Sequence, residues 1–554
     1  MPSSPSTQRR LPWLPDVIAG LSIAGLLLTE AIAYASIAGL PAQAGIIALL
    51  VGLISYGLIG RSRYAIVSAT SSSAAVLAAA IASMQLHDLG LQITLAVGLV
   101  MLTGVFFLLA SFFRLGGLLA DFIAKPVLRG FAFGLSLVII IRQIPKIVAI
   151  QVPTHSNLLS FGYQLLQRWA DWNSYGILLA LAALSLLLLF GRIRHLPATL
   201  IVIVLSIVLQ RWIDLDAYAI EQVGPISLFL IEPVIPDLEQ SQWLRLAELA
   251  VAMVFILYAE SFGAIQTYAL KHGNKTSPDR DLLALGVANI ISGILHGLPV
   301  GAGFSATTAN ETAGAESRLA GLLSALVVLG IVLSLLPQIA LIPEPVLAAV
   351  VIYAVGHALN LRVLHFYWVL QRDRIVVLSS IACVLLFGVL DGLLAGVIIS
   401  LAMMLRRWSA ASISVLGRLN GSHDFTHILL HPAAKELPGI LIVRPEEPLF
   451  FANINRVLQQ VQQALACRTG IHSIILSMEE SPDLDSTTVE ALLEFAKMHA
   501  EHARQLLFVR LKESAHDVLQ RTAIETIAHT RLLDLSVDSA VTLLVDAGSA
   551  QSTH

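Results

Sequence analysis

Through about Arg407 the chain alternates long apolar runs with short polar breaks, and after that point its character changes. A run of roughly 17 to 25 apolar residues can cross a bilayer as a helix. Such runs begin near Val17, Ala44, Ile66, Gln92, Pro126, Gly176 and Pro197, about seven in all. A loop of mixed polarity follows from Gln210 to Trp243. Further runs then begin near Arg245, Asp281, Gly303, Leu319, Pro343, Arg374 and Asp391, about seven more. From Glu436 the period shortens. "GILIVRP", "LFFANI", "HSIILSM" and "QLLFVRL" read as strands, "NRVLQQVQQALACR" and "STTVEALLEFAKMHA" as helices, and the remainder as helices with one short strand. That alternation predicts an α/β domain. The pattern divides the chain into an N-terminal tail (1–16), a membrane part (17–410), a linker (411–435) and a soluble domain (436–554).

Cytoplasmic loops are enriched in Lys and Arg, which checks the count of spans. With Arg9 and Arg10 inside, the inner loops hold Arg61 and Arg63; Arg114 and Lys125; Arg192 and Arg194; Lys271, Lys275 and Arg280; Arg318; Arg362, Arg372 and Arg374; and Arg406 with Arg407. The outer loops are poorer, with Arg142 and Lys146 against the rule. The central loop carries Asp214, Asp216, Glu221, Glu232, Asp237 and Glu239, as an external segment can. Both termini are expected in the cytoplasm, and "MPSSPSTQRRLPWLP" reads as a retained tail, since no small-residue cleavage site follows it.

An odd number of spans in the first half starts the second half in the opposite orientation, which is an inverted repeat. Each half has one polar interruption, and each falls in the third segment: "YAIVSATSSSAAVLAAA" from Tyr64 and "GLPVGAGFSATTANETAGA" from Gly297. Paired interruptions at matching positions point to a transporter's binding site. Irregular backbone is tolerated at membrane depth only where protein buries it or a cavity solvates it. Half-helices starting there would aim unpaired N–H groups and partial positive charge at the midplane. Ser68, Thr70, Ser71, Ser305 and Thr307 would add hydroxyls. A plainer reading is that small residues let helices approach closely; the matched pair favours a ligand site.

Composition agrees with a membrane protein. The 554 residues are 56% hydrophobic and 13% charged, about half the charge of a soluble chain. A net charge of −3 says nothing of a partner, because the charges are segregated, and nucleic-acid binding has no support. Cys383 and Cys467 form no disulfide framework or metal set and read as small buried hydrophobes. No Ser, His and Asp constellation, phosphate loop or metal cluster stands out, so neither an enzyme nor a cofactor is expected; "GAGF" lacks the βαβ surroundings of a dinucleotide fingerprint.

Two carboxylates fall within predicted spans, Glu30 in "LLLTEAIAYASIAG" and Glu260 in "MVFILYAESFGAIQ", each in the first span of its half. An intramembrane acid costs about 2.5 to 3.5 kcal/mol on insertion scales and usually serves an ion or a proton. The apolar run before Glu260 ranks it ahead of Glu30, which has Thr29 and Tyr34 nearby. Glu248 and Glu311 read as solvated. In the tail, Ser486 could be phosphorylated at a helix start, but Thr487 with Glu490 fits a structural capping box.

The ordered set "AIAYASIAGLPAQAGI", "LIGRSRYAIVSATSSSAAV", "KPVLRGFAFG", "AESFGAIQTYALKHGNKTSPDRDLLALGVANIISG", "GLPVGAGFSATTANETAGAES" and "DLDST" resembles the SulP family of anion transporters with a C-terminal STAS domain. The resemblance implies a polytopic α-helical fold of seven plus seven inverted spans in a UraA-like core and gate. It implies a homodimer in the bacterial inner membrane and an elevator motion carrying sulfate, bicarbonate, chloride or a dicarboxylate. By the same resemblance the anion site maps onto Ala69, Thr70, Ser71, Phe304 and Ser305, and proton coupling onto Glu30 and Glu260. Many relatives have Arg after the serine of the tenth span; here Ala306 removes that fixed charge. Sodium-coupled bicarbonate relatives tend to carry Asp in the eighth span, so Glu260 favours protons over sodium. The competing readings are an anion sensor that signals through the STAS domain and a nucleobase permease of the same architecture; the STAS-like tail disfavours the second.

Overall fold

The computed structural model describes residues 13–84, 89–122, 124–150, 158–193, 198–213, 215–224, 236–356, 359, 361–420 and 422–551. Arg9, Arg10, Arg194, Asp214 and Glu232, assigned above to loops, lie outside them, as does most of the N-terminal tail. The chain forms two compact units, Met1–Ser400 and Leu401–His554.

The first unit is helical. Its first half runs α1 (Leu14–Ala38), α2 (Ala42–Ile59), a short strand β1 (Val67–Ala69) leading into α3 (Ser71–Ala82), α4 (Leu89–Phe112), α5 (Gly116–Phe122), α6 (Lys125–Ile147), α7 (Leu158–Gln167), α8 (Ser174–Phe190) and α9 (Ala198–Trp212). Its second half runs α10 (Gln240–Lys271), α11 (Pro278–Ile294), β2 (Val300–Ala302) leading into α12 (Phe304–Thr312), α13 (Leu319–Ile339), α14 (Glu344–Gly356), α15 (Leu361–Leu370), α16 (Arg374–Phe387) and α17 (Val389–Ser409). Among the described residues, six helices are long and apolar enough to cross a membrane. The two interrupted segments, read as half-helices, are short, α3 with 12 residues and α12 with 9, and two segments expected as full spans are also short, α14 with 13 and α16 with 14. At 1.5 Å per residue, α3 and α12 extend roughly 18 and 14 Å, about half of a bilayer's hydrocarbon core. Each is completed by its strand.

Helices α1 to α4 pack with α10 to α13, while α6 and α8 pack with α14 and α16. Each set draws corresponding helices from both halves, as an inverted repeat requires. The sets meet where α1 touches α9 and α14 and where α3 touches α6.

The second unit is an α/β domain. Residues 411–435, expected as a linker, instead carry β3 (Ile413–Leu419), β4 (Phe425–His427) and β5 (Ala434–Lys435), and β3 pairs antiparallel with β6 (Ile440–Pro445). Next come α18 (Ile454–Ala466), β7 (Ser473–Ser477), α19 (Ser486–Glu501), β8 (Gln505–Val509), α20 (Glu513–Arg521), β9 (Thr530–Leu533) and α21 (Val537–Gln551). Strands β6, β7, β8 and β9 are parallel neighbours in that order. The inner strands β6, β7 and β8 are buried on both faces, which explains their apolar runs, whereas β9 lies at the edge with Arg531 exposed. One core lies against α18, α19 and α20, the other against α21.

Three further expectations fail in this unit. "LFFANI" is a turn: Asn453 accepts from the Phe450 N–H at 2.9 Å and donates to the Pro448 carbonyl at 2.8 Å, folding the chain back before α18. Cys467 is exposed, although Cys383 is buried. The cap of α19 is Asp485, not Thr487. Its carboxylate accepts from the N–H groups of Thr488 at 2.8 Å and Phe451 at 2.7 Å. Burial opposes its charged form, but those donors prevail and hold Asp485 below the usual carboxylate range. Asp485→Ala should therefore lower the stability of the soluble unit by about 0.5–2 kcal/mol in chemical denaturation, and an unchanged midpoint would discard the cap.

His499 on α19 is 2% exposed, stacked edge-on against Phe495, with neither ring nitrogen hydrogen-bonded. Burial, with the charges of Arg504 and His502, lowers its pKa to about 4. An unfolded histidine takes up a proton near pH 6.5, so stability is full above that pH and falls as pH drops toward the folded value. His499→Leu should flatten the stability curve between about pH 6.5 and about 4. A slope equal to wild type would assign acid sensitivity to another group.

Candidate functional site

The two interruptions meet. Strands β1 and β2 pair antiparallel, with Val67 opposite Ala302, Ser68 opposite Gly301 and Ala69 opposite Val300. All six residues are buried, so the ladder satisfies backbone groups that lipid could not. Side chains complete it. Asn289 on α11 accepts from the Val300 N–H and donates to the Val300 carbonyl, both at 2.9 Å. The Ala302 N–H donates to Ser261 Oγ at 2.8 Å. Gly52 lets α2 lie against β1: a Cβ there would stand 2.5 Å from the Val67 carbonyl oxygen. Asn289 and Ser261 escaped the sequence reading; the one available signal was a fully polar amide inside the apolar "LLALGVANIISG".

Each strand feeds a helix start. Thr70 caps α3: its Oγ1 accepts from the Ser73 N–H at 3.1 Å, while its own N–H donates to Ser73 Oγ at 2.8 Å. Gly303 precedes α12 without a side-chain cap. Of the hydroxyls expected at the site, Thr307 points away; it is fully buried and accepts from the Ile66 N–H at 3.3 Å, bracing the backbone that enters β1.

The carboxylates cross between the halves. Ser305 of α12 donates to Glu30 of α1 at 3.1 Å, and Thr70 before α3 donates to Glu260 of α10 at 3.2 Å. Each half thus supplies a hydroxyl at its helix start to the acid of the other. Ser72 also hydrogen-bonds Glu260. Burial reverses the ranking drawn from sequence neighbours: Glu30 is 5% exposed, whereas Glu260 is only half-buried. The apolar run before Glu260 is local in sequence; α3 supplies its polar surroundings in space.

A cavity of about 1600 Å³ opens onto this arrangement, lined by Ala69, Thr70, Ser71, Phe304, Ser305 and both glutamates. Its lining reaches the helix ends at one face only, including the first residue of α6 and the last turn of α12. Two cations line it, Lys125 and Arg129, four apart on α6 and both exposed near that end. Glu311, expected to be solvated, is paired instead: its carboxylate lies 2.7 Å from Lys271 and 2.9 Å from His272 and ties the end of α12 to the end of α10. Among the described residues, no cluster of His, Cys, Asp and Glu could hold a metal ion.

The profile described as "Sulfate permease family" matches residues 14–381, and the STAS domain profile matches 431–540. A probable sulfate transporter of Mycobacterium tuberculosis (strain ATCC 25618 / H37Rv) is 29% identical over 524 residues, covering 93% of this chain and 92% of that one. Sulfate transporter 4.1 of the Arabidopsis thaliana chloroplast is 27% identical, covering 95% and 79%. In fold, the chain is similar to the murine Solute Carrier 26 family member A9 anion transporter in its inward-facing state, with a TM-score of 0.88 at 19% identity over 98% of this chain and 92% of that one. The transmembrane domain of the cyanobacterial bicarbonate transporter BicA gives a TM-score of 0.63 at 21% identity, over 70% of this chain and 98% of that one.

A site built from helix-start N–H groups needs open space rather than one particular side chain. Ser305→Trp should abolish anion binding in equilibrium dialysis while leaving the detergent-solubilised protein folded. Normal binding by a folded variant would place the site elsewhere.

Proposed function

We propose that this chain, which belongs to the sulfate permease family, moves a small anion across the membrane through the cavity between its two helix sets, with sulfate the leading substrate and a proton the coupling ion. The observation that carries the reading is the convergence of two strand-fed helix starts on one cavity, each crossed to an acid of the opposite half. The helix starts supply partial positive charge, and the names of the relatives supply sulfate as the first anion to test.

Two carboxylates beside an anion pose an electrostatic problem. Unit charges about 6 Å apart repel by about 3 kcal/mol at an effective dielectric of 20, and a divalent anion doubles that. Ala306, 2% exposed, adds no compensating cation. Protonation of one glutamate removes that acid's share of the repulsion, so anion and proton binding favour each other reciprocally. Glu30, the more enclosed acid, is the first candidate for that proton, with Glu260 second. Lys125 and Arg129 draw anions toward the mouth. The Lys and Arg distribution supports a cytoplasmic mouth and cytoplasmic termini, in what we read as a bacterial inner membrane. In this reading the set containing α3 and α12 slides against the set containing α6 and α14, as an elevator, to alternate access.

The deciding experiment is uptake into proteoliposomes of labelled sulfate, bicarbonate, chloride, fumarate and succinate, with and without an inward proton gradient. Binding without accumulation of any of them would favour the sensor reading. Glu30→Gln, which mimics the protonated acid, should keep anion exchange and lose gradient-driven accumulation about tenfold or more, the scale of a 1.4 kcal/mol change. Full pH-driven accumulation by both Glu30→Gln and Glu260→Gln would reject these acids as the coupling groups.

A further inference from the structure

Lys146 breaks the charge rule, and the site described above does not use it. It lies in the last turn of α6, at the end away from the cavity mouth. The cavity lining follows α6 from Lys125 to Ser136, α1 from Ile18 to Tyr34 and α14 from Val350 to Val355. Lys146 is roughly 15 Å further along α6 than Ser136 at 1.5 Å per residue. Ser36 on α1 and Glu344 on α14 likewise lie beyond the closed end of the lining. These three residues meet: the Lys146 ammonium donates to Ser36 Oγ and lies 3.8 Å from the Glu344 carboxylate.

A purely local role is available for the two charges. A cation in the last turn of α6 and an acid in the first turn of α14 each suit their own helix dipole, and both helices belong to one packed set. That role leaves Ser36 unexplained, because α1 belongs to the other set.

We propose that Lys146 is the latch of the far gate. Anchored by Glu344 to its own set, it reaches across to Ser36 and holds the substrate path shut at the end opposite the cavity mouth. The inference rests on the transporter reading, in which the two sets move relative to one another and the far end must open in turn. The bond between Lys146 and Ser36 must break before the far end can open, so its strength helps set which face the site opens to. A lysine suits this role, because a compact charge on a flexible four-carbon stem can release one partner while keeping the other. The same contact accounts for a basic residue where the charge rule disfavours one.

The test reads sidedness without any substrate. Ala259 on α10 lines the cavity beside Glu260. The full chain carries Ala259→Cys with Cys383→Ala and Cys467→Ala, and a membrane-impermeant maleimide is applied to right-side-out and, separately, inside-out vesicles. With the latch intact, labelling should come from the mouth face. Lys146→Met should raise labelling from the opposite face about threefold or more, the scale of a partly screened polar contact. Ser36→Ala, which deletes one hydroxyl and no charge, should shift it in the same direction, and Lys146→Arg, which keeps the cation but not the compact ammonium, should shift it less than Lys146→Met. Opposite-face labelling at the wild-type level in both Lys146→Met and Ser36→Ala overturns the latch. Failure of the unmutated chain to accumulate any anion would sink the transport reading instead, and the labelling pattern would still report the closure.

Discussion

Everything at the centre of the membrane unit depends on six residues pairing as two short strands. A helix that stops halfway through a bilayer leaves N–H and C=O groups without water, at a cost of several kcal/mol for each one left unsatisfied. The register of Val67, Ser68 and Ala69 against Ala302, Gly301 and Val300 removes that cost by letting each interruption complete the other. Once the strands are paired, α3 and α12 must start close together from opposite directions. Their first N–H groups then face common space, and the hydroxyls of Thr70 and Ser305 fall within reach of Glu260 and Glu30. The halves cannot build this centre separately, because each supplies a strand, a hydroxyl and an acid that the other completes.

The supporting contacts show why small and polar residues gather where the chain should be apolar. Asn289 mimics a strand neighbour, binding both the N–H and the C=O of Val300. Ser261 and Thr307 each take one further backbone N–H. Gly52 clears the space that brings α2 against β1. Close packing and an open site, set against each other as readings of the sequence, are therefore compatible: the small residues permit the backbone approach that exposes the helix starts to the cavity.

The soluble unit obeys a different constraint. Its inner parallel strands are covered on both faces, so each residue of β7 is buried, and a single apolar run suffices to specify such a strand. The antiparallel β3 lies beside β6 and escaped notice because its alternating burial and position just after a membrane helix gave no comparable run. The turn at Phe450 escaped for the opposite reason: "LFFANI" has strand-like composition, and Asn453 overrides it with two backbone hydrogen bonds.

Some of this protein was determined by sequence alone. Apolar run length and the matched polar breaks located most of the helical segments, though not the short α5, α7 and α15, together with their inverted order and the residues at the two helix starts, because each depends on the solvent a segment meets or on its own backbone. The parallel strands and the helix beginning at Ser486 were legible on the same local terms. Tertiary structure decided what needed two distant segments in one place. It set the crossed pairing of Thr70 with Glu260 and Ser305 with Glu30, the turning of Thr307 into the backbone, the choice of Asp485 as cap through Phe451, and the greater enclosure of Glu30. Neighbours along the chain describe about one turn of helix around a residue. The cost of its charge is set by everything within reach in space, and that environment exists only once the two halves have packed together.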